Sequence, residues 1–405
     1  MSILKKEEVI ITGRYQKKIL TSTIAGLGIE SLDIMLLGYV MSSLIKQFHI
    51  SSAVAGSIST ITNLGMLLGG ITFGILADRH GKIRMFTYTV IVFAMSTLLT
   101  GFAQNTVVIC ILRFIAGIGA GGEYGIVMAL VADVFPKEKL GRINSYTTIG
   151  GQVGTVIAAL SAAIILPMFG WRTLFIVAGV MALPLAFFLR SVEESPRWLA
   201  SKRETEVKEK ISLLELFNEP KKAIVTISLM LMCTIQISGY FGLMNWLPSI
   251  LQKRLGLSIS GSSLWTVATI IGMCLGMLVF GRIMDKFGAK VSYAIFLIAS
   301  ACSVFIYVYV TSAIALLIGG SIVGFFVNGM MAGYGALISS FYPDRIRTTA
   351  LNTVFNAGRA FGGFSTIVIG LLLEKFSITY AMAYLSILYL ISLTIILNLK
   401  KPAVD

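Results

Sequence analysis

The sequence predicts an all-α integral membrane protein, with twelve transmembrane helices in two six-helix bundles and both termini cytoplasmic. Three observations carry this expectation. Of 405 residues, 56% are hydrophobic and only 13% charged, too apolar for a soluble protein of this size. The apolar residues fall into twelve stretches long enough to cross a bilayer. Two motifs recur at a single offset in the two halves of the chain. No polar stretch of domain length is present, which excludes a two-domain soluble enzyme.

In chain order the first six spans lie at approximately 19–45, 52–77, 84–103, 107–132, 141–167 and 171–190. The second six lie at approximately 223–250, 260–281, 291–310, 313–341, 348–373 and 377–399. A charged tail, 1–18, precedes span one, whose Glu30 and Asp33 are unlike the uncharged core of a cleaved signal peptide, so the span is retained. Residues 191–222, with seven acidic and seven basic side chains, form a cytoplasmic linker between the bundles 19–190 and 223–399; a short tail, 400–405, follows. Within the linker, 212–217 is either a short amphipathic helix on the inner surface or solvated chain. Pro184 in span six and Pro248 at the end of span seven are candidate kinks.

The formal charge of +14 raises nucleic acid as a partner, and the placement of the 33 Lys and Arg residues answers it. Twenty-six lie in the tails and in alternate loops on one side, including Arg79, Lys82, Arg142, Arg345 and Arg347. The opposite loops hold Lys46, Arg172, Lys253, Arg254 and Lys375, so the positive-inside rule places both termini in the cytoplasm. No base-reading motif accompanies the charge, so no nucleic-acid partner is expected. The four cysteines lie in apolar spans without a CxxC pair, and His49 and His80 lie in loops on opposite sides, so neither a metal site nor a cofactor is expected.

The repeat has an offset of 207 residues. Phe73-Gly74-x3-Asp78-Arg79-x-Gly81 recurs as Phe280-Gly281-x3-Asp285-Lys286-x-Gly288, and Phe135-Pro136 recurs as Tyr342-Pro343, each followed by basic residues. Because each half holds an even number of spans, the halves share one orientation, as in parallel-repeat transporters.

These residues carry a resemblance that covers essentially the whole chain: it is similar to the major facilitator superfamily. Gly74-Ile-Leu-Ala-Asp78-Arg79-His-Gly81-Lys82 fits that superfamily's cytoplasmic loop signature. Arg113-Phe-Ile-Ala-Gly117-Ile-Gly119-Ala-Gly121-Gly122-Glu123 and Glu193-Glu194-Ser195-Pro196-Arg197-Trp198-Leu199 resemble signatures of its sugar-porter and organic-ion branches. The resemblance implies a cytoplasmic gate built from Gly74, Asp78, Arg79, Gly81, Asp285, Arg142 and Arg347. Physically, an Asp at a helix end can cap a neighbouring helix or meet a basic residue and latch one face shut; alternatively, it merely ends and anchors its own helix.

Within the superfamily, Glu30-Ser-Leu-Asp33-Ile-Met-Leu-Leu-Gly38 resembles the first-span motif of aromatic-acid and nicotinate transporters. Tyr240, Trp246-Leu247-Pro248 and Gly358-Arg359-x2-Gly362-Gly363 are similar to the same group, whereas Gln236-Ile-Ser238-Gly239 echoes the sugar porters. The sugar porters' motif after span twelve and their Pro-x-Tyr pattern in span four are missing.

Independently of resemblance, a charge at the bilayer centre costs about 2.5–3.5 kcal/mol even on lenient scales, and five residues bear it. They are Glu30 and Asp33 in span one, Arg113 and Glu123 in span four, and Arg359 in span eleven; Asp133 is read as interfacial. Glu30 and Asp33 share a face by i,i+3 spacing. An acid whose Arg partner comes and goes can take and release a proton. Asp33 is accordingly the expected proton carrier and Arg113 its modulator, with Glu123 and Glu30 as further titrating groups; static buried ion pairs are the alternative.

Asn352, Asn356 and Arg359 follow i, i+4, i+7 spacing and make one polar stripe. A guanidinium in a dry cavity suits a carboxylate. With Gln236, Tyr240, Asn245 and Trp246 of span seven, Asn328 of span ten and Gln152 of span five, it would suit a small planar or cyclic organic acid, although any of these polar groups could instead bond a neighbouring helix. Glycines at four-residue spacing in spans two, eight and eleven permit close helix approach. The expected function is import of a small organic acid with protons by a monomeric carrier in the cell membrane, through alternating access. A sugar or polyol proton symporter and a proton-antiporting efflux pump are the alternatives. No nucleophile, base and metal constellation suggests an enzyme.

Overall fold

The computed structural model describes residues 13–50, 52–204, 212–255, 259–309 and 312–399. The basic residues Lys5, Lys6, Lys400 and Lys401 of the two tails lie outside the described residues. In the first half the chain forms α1 (Gly13–Phe48), α2 (Ser52–His80), α3 (Lys82–Thr100), α4 (Thr106–Val134) and α5 (Leu140–Arg190). The linker carries α6 (Pro196–Glu204). The second half forms α7 (Pro220–Leu255), α8 (Ile259–Phe287), α9 (Ala289–Ser303), α10 (Ile306–Tyr309) and α11 (Ala313–Gly329). It ends with α12 (Tyr334–Ser339), α13 (Arg347–Gly362), α14 (Ser365–Lys375) and α15 (Ile378–Asn398).

Eleven helical stretches among the described residues are long and apolar enough to cross a membrane. The one over α5 contains both span five and span six. It is divided at Gly170, whose φ of 76° and ψ of 173° reverse the chain in a conformation that only glycine adopts without strain. Trp171 Nε1 donates to Gln47 at the turn, 2.6 Å away. Expected span ten is α11, a 3-10 turn over Met330–Gly333 and then α12, the small residues Gly329 and Gly333 flanking the tighter turn. Expected span eleven is α13 and α14, joined after Gly362. In the linker, 212–217 holds a 3-10 turn, Leu213–Leu216, with a capping box between Ser212 and Glu215.

The repeat persists in the packing. Within the first bundle α2 lies on α4 so closely that a Cβ on Gly65 or Gly69 would meet the carbonyl oxygens of Phe114 or Ile118 at 2.3 and 1.9 Å. Within the second, α8 lies on α11 in the same way, with Gly272 and Gly276 against the carbonyls of Ser321 and Phe325 at 2.1 and 2.0 Å. Each of these pairs is shifted by the sequence offset of 207. The bundles meet where α2 and α4 pack on α13, and α5 packs on α8. α4 is the innermost helix, buried almost without interruption from Ala116 to Val134, which explains how it tolerates Arg113, Glu123 and Asp133 away from lipid.

Candidate functional site

One end of the bundle interface is closed by charged helix caps. Asp78, ending α2, accepts hydrogen bonds from the backbone N–H groups of Thr348 and Thr349 at 3.2 and 2.8 Å and from Thr349 Oγ1 at 2.8 Å. It therefore caps α13 of the other bundle, whose N-terminus carries a partial positive charge. Its repeat counterpart Asp285 does the reverse: it accepts from Gly141 N at 2.7 Å and Arg142 N at 3.2 Å, capping α5, and pairs with Arg142 Nε at 3.0 Å. Gly74 lets α13 approach, its Cβ position lying 3.0 Å from Thr349 Cα.

Between the two caps lies a cluster around Asp133, wholly buried. Its carboxylate holds Lys82 Nζ at 2.6 Å, Ser195 Oγ at 2.7 Å and Arg347 Nη1 at 3.0 Å. Arg347 also pairs with Asp344. Gly81, with φ of 110°, leaves no room for a Cβ beside Glu194, whose carboxylate accepts the N–H groups of Lys82 and Ile83 and so caps α3. Arg79 is exposed beside this cluster. Tyr342, outside the spans, shares a hydrogen bond of 2.8 Å with Thr226; burial pushes its phenol up to about 12, so it remains a neutral partner.

About 18 Å along α13 from this closed end, at 1.5 Å per residue, Arg359 reaches a central cavity of about 120 Å³. Arg359 Nη1 donates to Glu30 Oε1 at 2.8 Å, joining the bundles across the cavity wall. Its guanidinium lies 4.9 Å from the centre of the Phe355 ring, which is stacked on Tyr124 at 3.6 Å and 10°. Gln152, Gln236, Tyr240 and Asn328 also line the cavity. Gln236 Nε2 is committed to the Val327 carbonyl at 2.7 Å, while its Oε1 and that of Gln152 find no hydrogen-bond partner among the described residues. Asn328 Nδ2 lies against Met273 Sδ at 3.4 Å.

Asp33 is placed differently from Glu30. Arg113 Nη1 reaches both its oxygens at 3.2 Å, and Thr97 bridges the pair, donating to Asp33 and accepting from Arg113 Nη2, each at 2.6 Å. This cluster is buried behind the wall and does not line the cavity. Glu123 is also off the wall. It is fully buried, its Oε1 would lie 2.6 Å from a Cβ on Gly26, and neither oxygen finds a hydrogen-bond partner among the described residues.

Asn356 faces α4 instead of the cavity. Its Nδ2 donates to the Gly121 carbonyl at 2.8 Å, and Asn352 accepts from Gly125 N at 2.7 Å and donates to the Gly122 carbonyl at 3.0 Å. The two asparagines thus clamp the bundles between gate and cavity. The side chains of Asn245 and Trp246, on α7, lie outside the described ones. Sequence reasoning missed Thr97, for which no signal exists, and the burial of Lys82, read as a loop charge although the Asp133 that it meets ends the neighbouring apolar span.

Two helical bundles of like orientation, latched at one end by reciprocal caps and enclosing a cavity walled by an acid and a guanidinium, define a membrane carrier. The chain belongs to the Major Facilitator Superfamily, whose profile matches residues 23–273 and 235–404. It is 37% identical, over 96% of its length, to a Haemophilus influenzae protein named only by inference for metabolite transport, of which 98% is covered. To the cis,cis-muconate transport protein of Acinetobacter baylyi it is 30% identical, with 90% and 89% of the two chains covered. Other relatives are named for niacin, benzoate and gentisate. Its fold is similar to that of the proton:xylose symporter XylE, with a TM-score of 0.80, 18% identity and 95% and 96% coverage. The protein is thus a multi-pass transporter of the cell membrane and not an enzyme.

Proposed function

We propose that the carrier imports a small organic acid together with protons by alternating access, and that the Arg359–Glu30 pair is where the two are coupled. The observation that carries this reading is the pair itself: a cation on one bundle and an acid on the other, joined on the cavity wall. A substrate carboxylate suits the guanidinium bidentately, and it must displace Glu30 to bind. Glu30, then buried without a cation, takes up a proton, because leaving an unpaired charge in the interior costs several kcal/mol. Substrate and proton thus enter the cavity together, and both leave when Glu30 reclaims Arg359.

The aromatic wall of Tyr124, Phe355 and Tyr240 supports a planar or unsaturated acid, as do the relatives named for muconate, niacin and benzoate. Glu123 is a second titrating group beside the pair. Asp33, held by Arg113 and Thr97, fits a fixed ion pair that aligns α1 with α3 and α4 better than it fits an exchanging carrier. The closed end is cytoplasmic by the placement of the basic loops, so the cavity is loaded from outside.

The test is uptake of radiolabelled nicotinate, benzoate and cis,cis-muconate by proteoliposomes of purified protein, with and without an uncoupler. Accumulation above equilibrium that collapses with the uncoupler is expected. Competition by xylose but not by acids would establish the sugar reading instead, and accumulation only in everted vesicles would establish efflux.

A further inference from the structure

Beside the closed gate a second cavity, of about 800 Å³, lies between the two bundles and opens to solvent past the exposed Lys137, Lys290 and Asp344, apart from the transport site. Its wall draws on both halves and on the linker: Lys137 precedes α5, Arg197 lies on α6, Lys290 on α9 and Ser339 on α12. The two carboxylates in this wall are already neutralised. Asp285 pairs with Arg142 and caps α5, and Asp344 pairs with Arg347. Lys137, Arg197 and Lys290 have no carboxylate partner among the described residues. Arg197 reaches the Ala132 carbonyl at 2.9 Å and Lys290 the Leu397 carbonyl at 3.1 Å, which leaves their charge uncompensated.

A second observation is independent of charge. Ser339 is only 6% exposed, and its hydroxyl finds no hydrogen-bond partner among the described residues, a condition that buried polar groups normally escape through a ligand or ordered water.

We infer that this cavity is an anion site for a phosphate group, with Lys137, Arg197 and Lys290 supplying charge and Ser339 a hydroxyl donor. Because its wall includes Asp285 and Arg347, members of the gate, an occupant bridges the bundles and holds the gate closed. The site therefore regulates the carrier from the side of the gate, independently of what is transported. Both a soluble phosphate and a phospholipid headgroup carry the required group.

The experiment uses the full-length protein in dodecyl maltoside micelles, which carry no phosphate. Inorganic phosphate is titrated against chloride at matched ionic strength, reading Tm and hydrogen exchange at the start of α13; a second arm replaces soluble phosphate with phosphatidylglycerol titrated into the micelles. A saturable rise in Tm with slowed exchange is expected in at least one arm, and which arm responds identifies the source. Lys137→Gln with Lys290→Gln removes the response, Ser339→Ala weakens it several-fold, and Lys286→Gln, which deletes a charge on the neighbouring α8 outside this wall, leaves it intact. No saturable response in either arm, or the same response in the double lysine variant as in the natural protein, overturns the assignment.

Discussion

Arg359 of the second bundle donates a hydrogen bond to Glu30 of the first at 2.8 Å, on the wall of the central cavity. Unlike the gate contacts, this pair borders the space in which a solute would sit. Glu30→Gln is expected to keep a hydrogen-bonding side chain there while removing the exchangeable proton. Concentrative uptake falls to equilibration, and counterflow exchange of labelled for unlabelled acid continues. Parallel measurement of both activities in proteoliposomes checks this; accumulation retained by the variant would remove Glu30 from the coupling.

The Asp33–Arg113–Thr97 cluster carries a different expectation. Removing one member of a buried pair typically costs about 3–5 kcal/mol, so Asp33→Asn leaves Arg113 uncompensated and lowers thermal stability sharply. Thr97→Val, which deletes two hydrogen bonds of 2.6 Å, costs about 1–3 kcal/mol. If Asp33→Asn instead kept its stability and exchange and lost only accumulation, Asp33 would be the proton carrier after all.

The reciprocal caps make a third prediction. Asp78→Ala and Asp285→Ala each remove a charged cap on the opposite bundle, an interaction of about 0.5–2 kcal/mol. Spin labels placed on α5 and α8 at the gate end report the result. Each single variant broadens the distance distribution toward separation, and the double variant shifts its mean; an unchanged distribution in the double variant would show that the caps do not hold the gate.

Helix contact through glycine is tested by insertion of a methyl group. Gly69→Ala and Gly276→Ala place a Cβ within 2 Å of a carbonyl oxygen, and each is expected to cost about 1–3 kcal/mol, read as thermal stability in detergent. Gly38→Ala has open space around it and is expected to be neutral or slightly stabilising.

Much of this arrangement was legible in the sequence, for identifiable reasons. A charge in an apolar span is costly enough to need a partner, and the charges Glu30, Asp33, Arg113 and Arg359 singled out on that ground are paired, Arg359 with Glu30 and Arg113 with Asp33. The offset of 207 tied Asp285 to Asp78. What a span shows on its own is which face is polar, not what that face meets. The stripe of Asn352, Asn356 and Arg359 therefore read as one substrate surface, yet only Arg359 reaches the cavity while the asparagines clamp α4. Likewise i,i+3 spacing put Glu30 and Asp33 on one face without showing that one borders the cavity and the other is sealed behind it. Thr97 in span three, a neutral residue in an apolar stretch, gave no hint of its place between Asp33 and Arg113.

That the substrate carboxylate and the Glu30 carboxylate compete for Arg359, so that a proton on Glu30 favours substrate binding, is tested most directly by equilibrium binding of benzoate or nicotinate to purified protein between about pH 5.5 and 8. Protonation of Glu30 frees Arg359, so binding to the natural protein is predicted to tighten as pH falls, and binding to Glu30→Gln to be tight at every pH. A pH dependence that is the same in Glu30→Gln as in the natural protein would contradict the account.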